Sequence, residues 1–343
     1  MKKLFSLGLA TMLALGLATT SFAADAPEED TPTAPTEEPA YADMSRAVIK
    51  KVYEAANSGT TSPAETFAFA IERESVTDAA EGINRDNMPL PTISSVEYAA
   101  GEAGSATKTK EIIVDLNDAN GSTIYSSVGV YTYTITETVG TTAGVTYREA
   151  PITLKVTVIE QNGQIRVAAI HTEESGAQKS DTITNTYSAG ELDVTKTVTG
   201  NLGDKSKYFK FTVTLTAPEG KDVRSEIGVG DTSYEQNPTT IAVGTATDFY
   251  LKDGETLSFT NIPYDVTYTV TEADYTADGY TTTKTGDTGT MDAAAKTAAF
   301  TNSKAGQIDT GVVLNNMPYV VVLAVLLGGA AVVLIRKRRN GEV

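Results

Sequence analysis

One hexapeptide pattern occurs twice in the chain: Thr132-Tyr133-Thr134-Ile135-Thr136-Glu137 returns as Thr267-Tyr268-Thr269-Val270-Thr271-Glu272. Other matches flank it in the same order. Val48-Ile49-Lys50-Lys51-Val52 answers Val194-Thr195-Lys196-Thr197-Val198, Phe67-Ala68-Phe69 answers Phe209-Lys210-Phe211, and Thr184-Asn185-Thr186 answers Thr301-Asn302-Ser303. Polar and apolar residues alternate through these segments, which is the period of a strand with one buried face. Turn pairs such as Asn120-Gly121 and Asp253-Gly254 interrupt them. A repeated order of this kind predicts a duplicated unit: an all-β chain of two tandem sandwiches over 44–188 and 189–304. The join, Ser188-Ala189-Gly190-Glu191, is too short for free tumbling.

Residues two apart in a strand share a face, so neighbours assign each polar side chain to one side. Lys196 is in phase with Leu192, Val194 and Val198, Glu272 with Val266, Tyr268 and Val270, and Asn302 with Phe300. In the first copy, Glu137 follows Tyr131, Tyr133 and Ile135, and Asn185 lies between Ile183 and Tyr187. The lysine there is one of two. Lys50 is in phase with Val48 and Val52, whereas Lys51 shares a face with Ile49 and Tyr53. Lys50 is preferred because it reproduces the V-x-K-x-V of the second copy. A single such residue is usually a rim residue, but burying six of them without a use would cost several kcal/mol.

The chemistry that fits is a self-made amide between Lys and Asn. Desolvation lowers a lysine pKa and frees its lone pair, and it raises a glutamate pKa and keeps that carboxyl protonated. The neutral acid is expected to polarise the Asn carbonyl and relay protons as ammonia departs. Glu137 and Glu272 thus act as single-turnover catalysts for Lys50–Asn185 and Lys196–Asn302. The fold makes the aminolysis intramolecular. Each link closes a long loop and is expected to add on the order of 5 kcal/mol.

Composition narrows the alternatives. The 343 residues include no Cys, which excludes disulfides, thiol nucleophiles and thiolate metal sites. His171 stands alone, so a two-histidine metal centre is impossible within one chain. A formal charge of −17 disfavours nucleic acid as a partner. No cofactor, metal or active site for an external substrate is expected.

The ends resemble targeting signals. Residues 1–23 carry Lys2 and Lys3, an apolar run and then Ser21-Phe22-Ala23, in the order of a secretory signal peptide. Residues 24–43 follow as a flexible leader rich in Pro, Glu and Thr. From 305 onward, Tyr319 to Ile335 is an apolar stretch of 17 residues ahead of Arg336-Lys337-Arg338-Arg339, suited to a transmembrane helix with its basic end in the cytoplasm. Before it, Gln307-Ile308-Asp309-Thr310-Gly311 resembles the Gram-positive sorting signal that a sortase cleaves between Thr and Gly. The usual Leu-Pro is replaced by Gln307-Ile308, as in some pilin signals.

Lysine in the opening strand, Tyr-x-[Ile/Val]-Thr-Glu in the middle, Asn in the closing strand and a C-terminal sorting signal together resemble the Gram-positive backbone pilins. The likeness is to the streptococcal major-pilin type and is clearest over 249–275. It implies immunoglobulin-like domains of the Cna B type with Lys–Asn isopeptide bonds. It also implies a wall-anchored surface fibre in which sortase joins Thr310 to a lysine of the next copy, with accessory or tip pilins and peptidoglycan as further partners. In that pilin type the acceptor lies a few residues before the first Asn, which points to Lys179; Lys155 and Lys108 compete with it. The other function open to such a chain is a wall-anchored adhesin or accessory pilin that binds a host or matrix ligand.

Overall fold

The computed structural model describes residues 43–174, 178–223 and 227–307. The expected signal peptide, the expected leader up to residue 42, the sorting motif after Gln307 and the apolar tail fall outside these residues. Within them the chain is all-β, with one short 3-10 turn at Thr276–Asp278. Two separate hydrophobic cores form, one around Ile49, Phe67, Tyr133 and Leu154, the other around Val194, Phe211, Phe259 and Phe300. The duplication therefore appears as two sandwiches.

In the first half, the opening strand Arg46–Ala55 lies at the centre of a five-stranded sheet. On one side it pairs antiparallel with Thr109–Asp115, and on the other it pairs parallel with the closing strand Thr182–Tyr187. The facing five-stranded sheet holds Gly129–Glu137 between Phe69–Thr77 and Ile152–Gln161. In the second half, Ala189–Thr199 is parallel to the closing strand Ala295–Ser303 within a six-stranded sheet. The four-stranded sheet opposite carries Phe209–Thr216 beside Thr267–Glu272. First and last strands of each half are thus direct neighbours.

The pleat of the opening strand differs from expectation at one point. Ala47, Ile49, Lys51 and Tyr53 turn inward, while Val48 stays 39% exposed and Lys50 faces solvent. The inward phase is set by the large side chains: a fully buried Tyr53 outweighs the burial of two valines. Matching V-x-K-x-V to the second copy placed the first lysine one residue out of register, and a shift of one residue exchanges the two faces.

The halves meet through specific polar contacts. Asn57 Nδ2 donates to the Ala189 carbonyl at 2.8 Å and to the Tyr264 hydroxyl at 3.0 Å. Asn261, in the left-handed region at φ 64, receives the Thr61 amide on Oδ1 at 3.0 Å and donates Nδ2 to the Thr61 carbonyl at 2.8 Å. Across the join, the Ala143 amide donates to the Asp222 carbonyl and the Asp222 amide to that of Thr141, at 2.9 and 2.8 Å. This pairing links the two halves a second time, away from the short join itself. An Asn261→Gly variant keeps the backbone conformation accessible and removes both side-chain bonds to Thr61, at about 1 kcal/mol each. Hydrogen exchange of the amides at 57–61 should quicken while the strand cores keep their protection; unchanged exchange would show that the junction does not depend on this contact.

Candidate functional site: two buried lysine, glutamate and asparagine trios

Parallel pairing fixes where a lysine and an asparagine can meet. Lys51 is registered against Ile183, and Asn185 lies two residues further on, so both point to the same face. Lys196 is registered against Phe300, and Asn302 again lies two residues on. Lys50 is registered against Thr182, three residues short of Asn185, which turns the two side chains to opposite faces. The facing sheets repeat the same logic: Glu137 is opposite Phe69, and Glu272 is opposite Phe211.

Side chains converge accordingly. In the first half Lys51 is fully buried, Asn185 is 1% exposed and Glu137 is 8% exposed. Lys51 Nζ donates to Glu137 Oε2 at 3.0 Å and to Asn185 Oδ1, and Asn185 Nδ2 donates to Glu137 Oε1. In the second half Lys196 Nζ donates to Glu272 Oε1 at 2.7 Å, and Asn302 Nδ2 donates to the same oxygen at 3.0 Å. The trios are built from the same three residue types with slightly different use of the carboxylate.

Each ammonium also stands over two phenylalanine rings. Lys51 Nζ is 4.0 Å from the Phe67 centroid and 5.8 Å from that of Phe69; Lys196 Nζ is 4.1 Å from Phe209 and 5.9 Å from Phe211. The repeated Phe-x-Phe therefore lines the lysine, a role its recurrence in the sequence did not disclose. The rings exclude water, and their faces attract the residual positive charge.

Burial pulls Lys51 down from the ordinary 10.5 to about 8; the Glu137 carboxylate opposes this. Lys196 is lowered for the same cause, against the pull of Glu272 and Asp253. Both amines are thereby brought closer to the free base that can attack a carboxamide carbon. Each Glu faces the amide nitrogen of its Asn, not the carbonyl oxygen that the sequence suggested it would polarise. In that position a carboxylate can take a proton from the attacking amine and hand it to departing ammonia.

Other expected residues lie elsewhere. Lys50 Nζ is at the surface, 3.2 Å from Asp181 Oδ2; its assignment to the first trio is corrected to Lys51, because the strand pleat turns Lys50 outward. Lys179 is exposed on the short edge strand Gln178–Lys179 and forms no ion pair among the described residues. Lys155 pairs with Glu173 at 2.5 Å and Lys108 with Glu54 at 3.1 Å. Thr310 and Gly311 are outside the described residues. A further inward carboxyl, Glu65, went unnoticed in the sequence although it shares the phase of Phe67; it is 7% exposed.

Comparison with known proteins follows the same division. Residues 47–188 match the family described as the Spy0128-like isopeptide containing domain, and residues 190–304 match a domain family of unknown function, DUF7601. A pilin of Streptococcus pyogenes serotype M1 is 29% identical over 344 residues, covering 93% of this chain and 96% of that protein. The crystal structure of the major pilin from Streptococcus pyogenes aligns with a TM-score of 0.52 at 26% identity, over 77% of this chain and all of that one. The Streptococcus pyogenes pilus tip adhesin Cpa is 35% identical over 82 residues, which is 24% of this chain but 11% of the adhesin.

Burial of the Lys51 amine leads to a pH dependence. Below about pH 8 the Lys51 amine is an ammonium without a lone pair, and above it the amine is free. Formation of a Lys51–Asn185 amide in newly folded protein should therefore accelerate as pH rises toward 8 and then level off. Peptide mapping of acid-quenched time points measures it. A rate that stays constant as pH rises toward 8 would show that deprotonation of the Lys51 amine does not limit the reaction.

Proposed function

We propose that this chain, 29% identical to a Streptococcus pyogenes pilin over 93% of its length and similar in fold to the major pilin of that organism, is a pilin of that type, which sortase builds into a covalent surface fibre whose subunits are locked by Lys51–Asn185 and Lys196–Asn302 isopeptide bonds. The single observation behind the internal bonds is the repeated diagonal register, which puts a desolvated amine beside a carboxamide and a carboxylate in both halves. Aminolysis joins Lys Nζ to Asn Cγ, breaks the Cγ–Nδ2 bond and releases ammonia, with Glu137 or Glu272 carrying the proton. Each bond forms once. Each half, 44–188 and 189–304, is a self-contained cross-linked unit, and the protein is a structural subunit with no turnover of external substrate.

Assembly would use the ends. Sortase would cut between Thr310 and Gly311 and pass the Thr310 carboxyl to a lysine of another copy, and the last subunit would be joined to peptidoglycan on the surface of a Gram-positive cell. Lys179 is the favoured acceptor. It is exposed on a sheet edge without an ion pair among the described residues, while Lys155 and Lys108 are both engaged by carboxylates. An adhesin role has less support, because the likeness to the tip adhesin spans only 11% of that protein.

Immunoblots of wall extracts should show an SDS-resistant ladder of regularly spaced species. Lys179→Ala should collapse the ladder to a monomer that still folds, because the residue lies at an exposed edge. A ladder that survives moves the acceptor to another lysine, and a single wall-linked band from the unaltered protein would favour the adhesin.

A further inference from the structure

The two trios differ in how the carboxylate is held. Glu137 offers one oxygen to each reactant: Oε2 to Lys51 and Oε1 to Asn185. Two different hydrogen bonds thus fix the plane of its carboxyl group. Glu272 instead receives both Lys196 and Asn302 on Oε1, at 2.7 and 3.0 Å. Its other oxygen is left to a residue outside the trio. Thr282 Oγ1 donates to Glu272 Oε2 at 3.2 Å.

Thr282 belongs to the edge strand Thr281–Thr285, all of whose residues are exposed, and is registered directly opposite Asn302. It therefore stands at the rim above the buried asparagine, on the same side of the sheet. Glu272 and Thr282 both line a surface cleft together with Asp274, Tyr280, Lys284 and Phe300. Without the Thr282 hydroxyl, Oε2 would face that cleft, and the terminal torsion of a glutamate is soft enough for the carboxyl group to turn. A turn would carry Oε1 away from the line between the amine and the leaving nitrogen.

We propose that Thr282 is a positioning residue for the second cross-link: its hydroxyl anchors Glu272 Oε2 so that Oε1 can serve the Lys196 amine and the Asn302 amide at once. The inference rests on the proposed Lys196–Asn302 reaction and adds a participant to it. In that reaction the Nζ–Cγ bond forms and the Cγ–Nδ2 bond breaks. One proton passes from Nζ to Oε1 and on to Nδ2, and ammonia leaves. Thr282 loses and gains no proton. The first trio needs no such anchor, because its reactants already hold both carboxylate oxygens.

The test uses newly synthesised full-length chain, quenched in acid at intervals, with both cross-linked peptides quantified by mass spectrometry. Thr282→Val, which keeps the shape and removes the hydroxyl, should slow the Lys196–Asn302 bond by about fivefold or more, as expected for one lost hydrogen bond. The Lys51–Asn185 bond in the same molecules should keep its rate, which controls for folding. Thr282→Ser should restore the second rate. Equal rates for Thr282→Val and the unaltered protein overturn the proposal, as does equal slowing by Val and Ser, which would mark a role of the edge strand alone. If the unaltered protein never joins Lys196 to Asn302, the proposed reaction itself fails, a result visible without any variant.

Discussion

An amine held inside hydrocarbon is the constraint around which both sandwiches are arranged. Lys51 and Lys196 are buried as completely as the isoleucines and phenylalanines near them, and an ammonium in that setting is costly unless paired. The carboxylate of the facing sheet meets part of that need in both halves, the Asn185 carboxamide meets another part for Lys51, and a phenylalanine ring close to each amine excludes water. A charge pair sealed in this way is weak support for stability by itself. Its burial fits preorganisation: an amine whose pKa burial lowers, a carboxylate that can carry a proton and a carboxamide are gathered on facing strands.

Placement of the trio also sets what a bond between its members would do. Opening and closing strands are adjacent and parallel in both halves, with the lysine late in one and the asparagine late in the other. Tension applied to the ends of a half would pull these two strands in opposite directions along their shared ladder. A covalent cross-bridge between them carries that load without relying on hydrogen bonds that can shear in sequence. The junction continues the path, since Asn57, Asn261 and the backbone pairing at Asp222 tie one sandwich to the next. A chain without cysteine has no disulfide with which to do this.

Much of the arrangement was legible in the sequence, because period-two alternation is strong in Thr-rich strands and because a duplication lets one copy check the other. Glu137, Asn185, Lys196, Glu272 and Asn302 all lie on the inward faces that their neighbours indicated. The first lysine was misplaced by one residue. With two lysines in succession, phase alone left both open, and the decision lay in the larger buried volume of Tyr53 against Val48 and Val52 and in a parallel register that no local pattern encodes. The orientation of the carboxylates toward the amide nitrogens and the contact from Thr282 depend on pairing between distant strands, so they had no signature in the sequence.

The central claim is that these two sets of buried side chains are joined. Intact mass spectrometry of the purified ectodomain, followed by mapping of the linked peptides, tests it most directly. The account predicts a mass lower than the calculated value by two molecules of ammonia, with one branch at Lys51–Asn185 and the other at Lys196–Asn302. A protein of full calculated mass, with both lysines and both asparagines recovered as ordinary linear peptides, would contradict it.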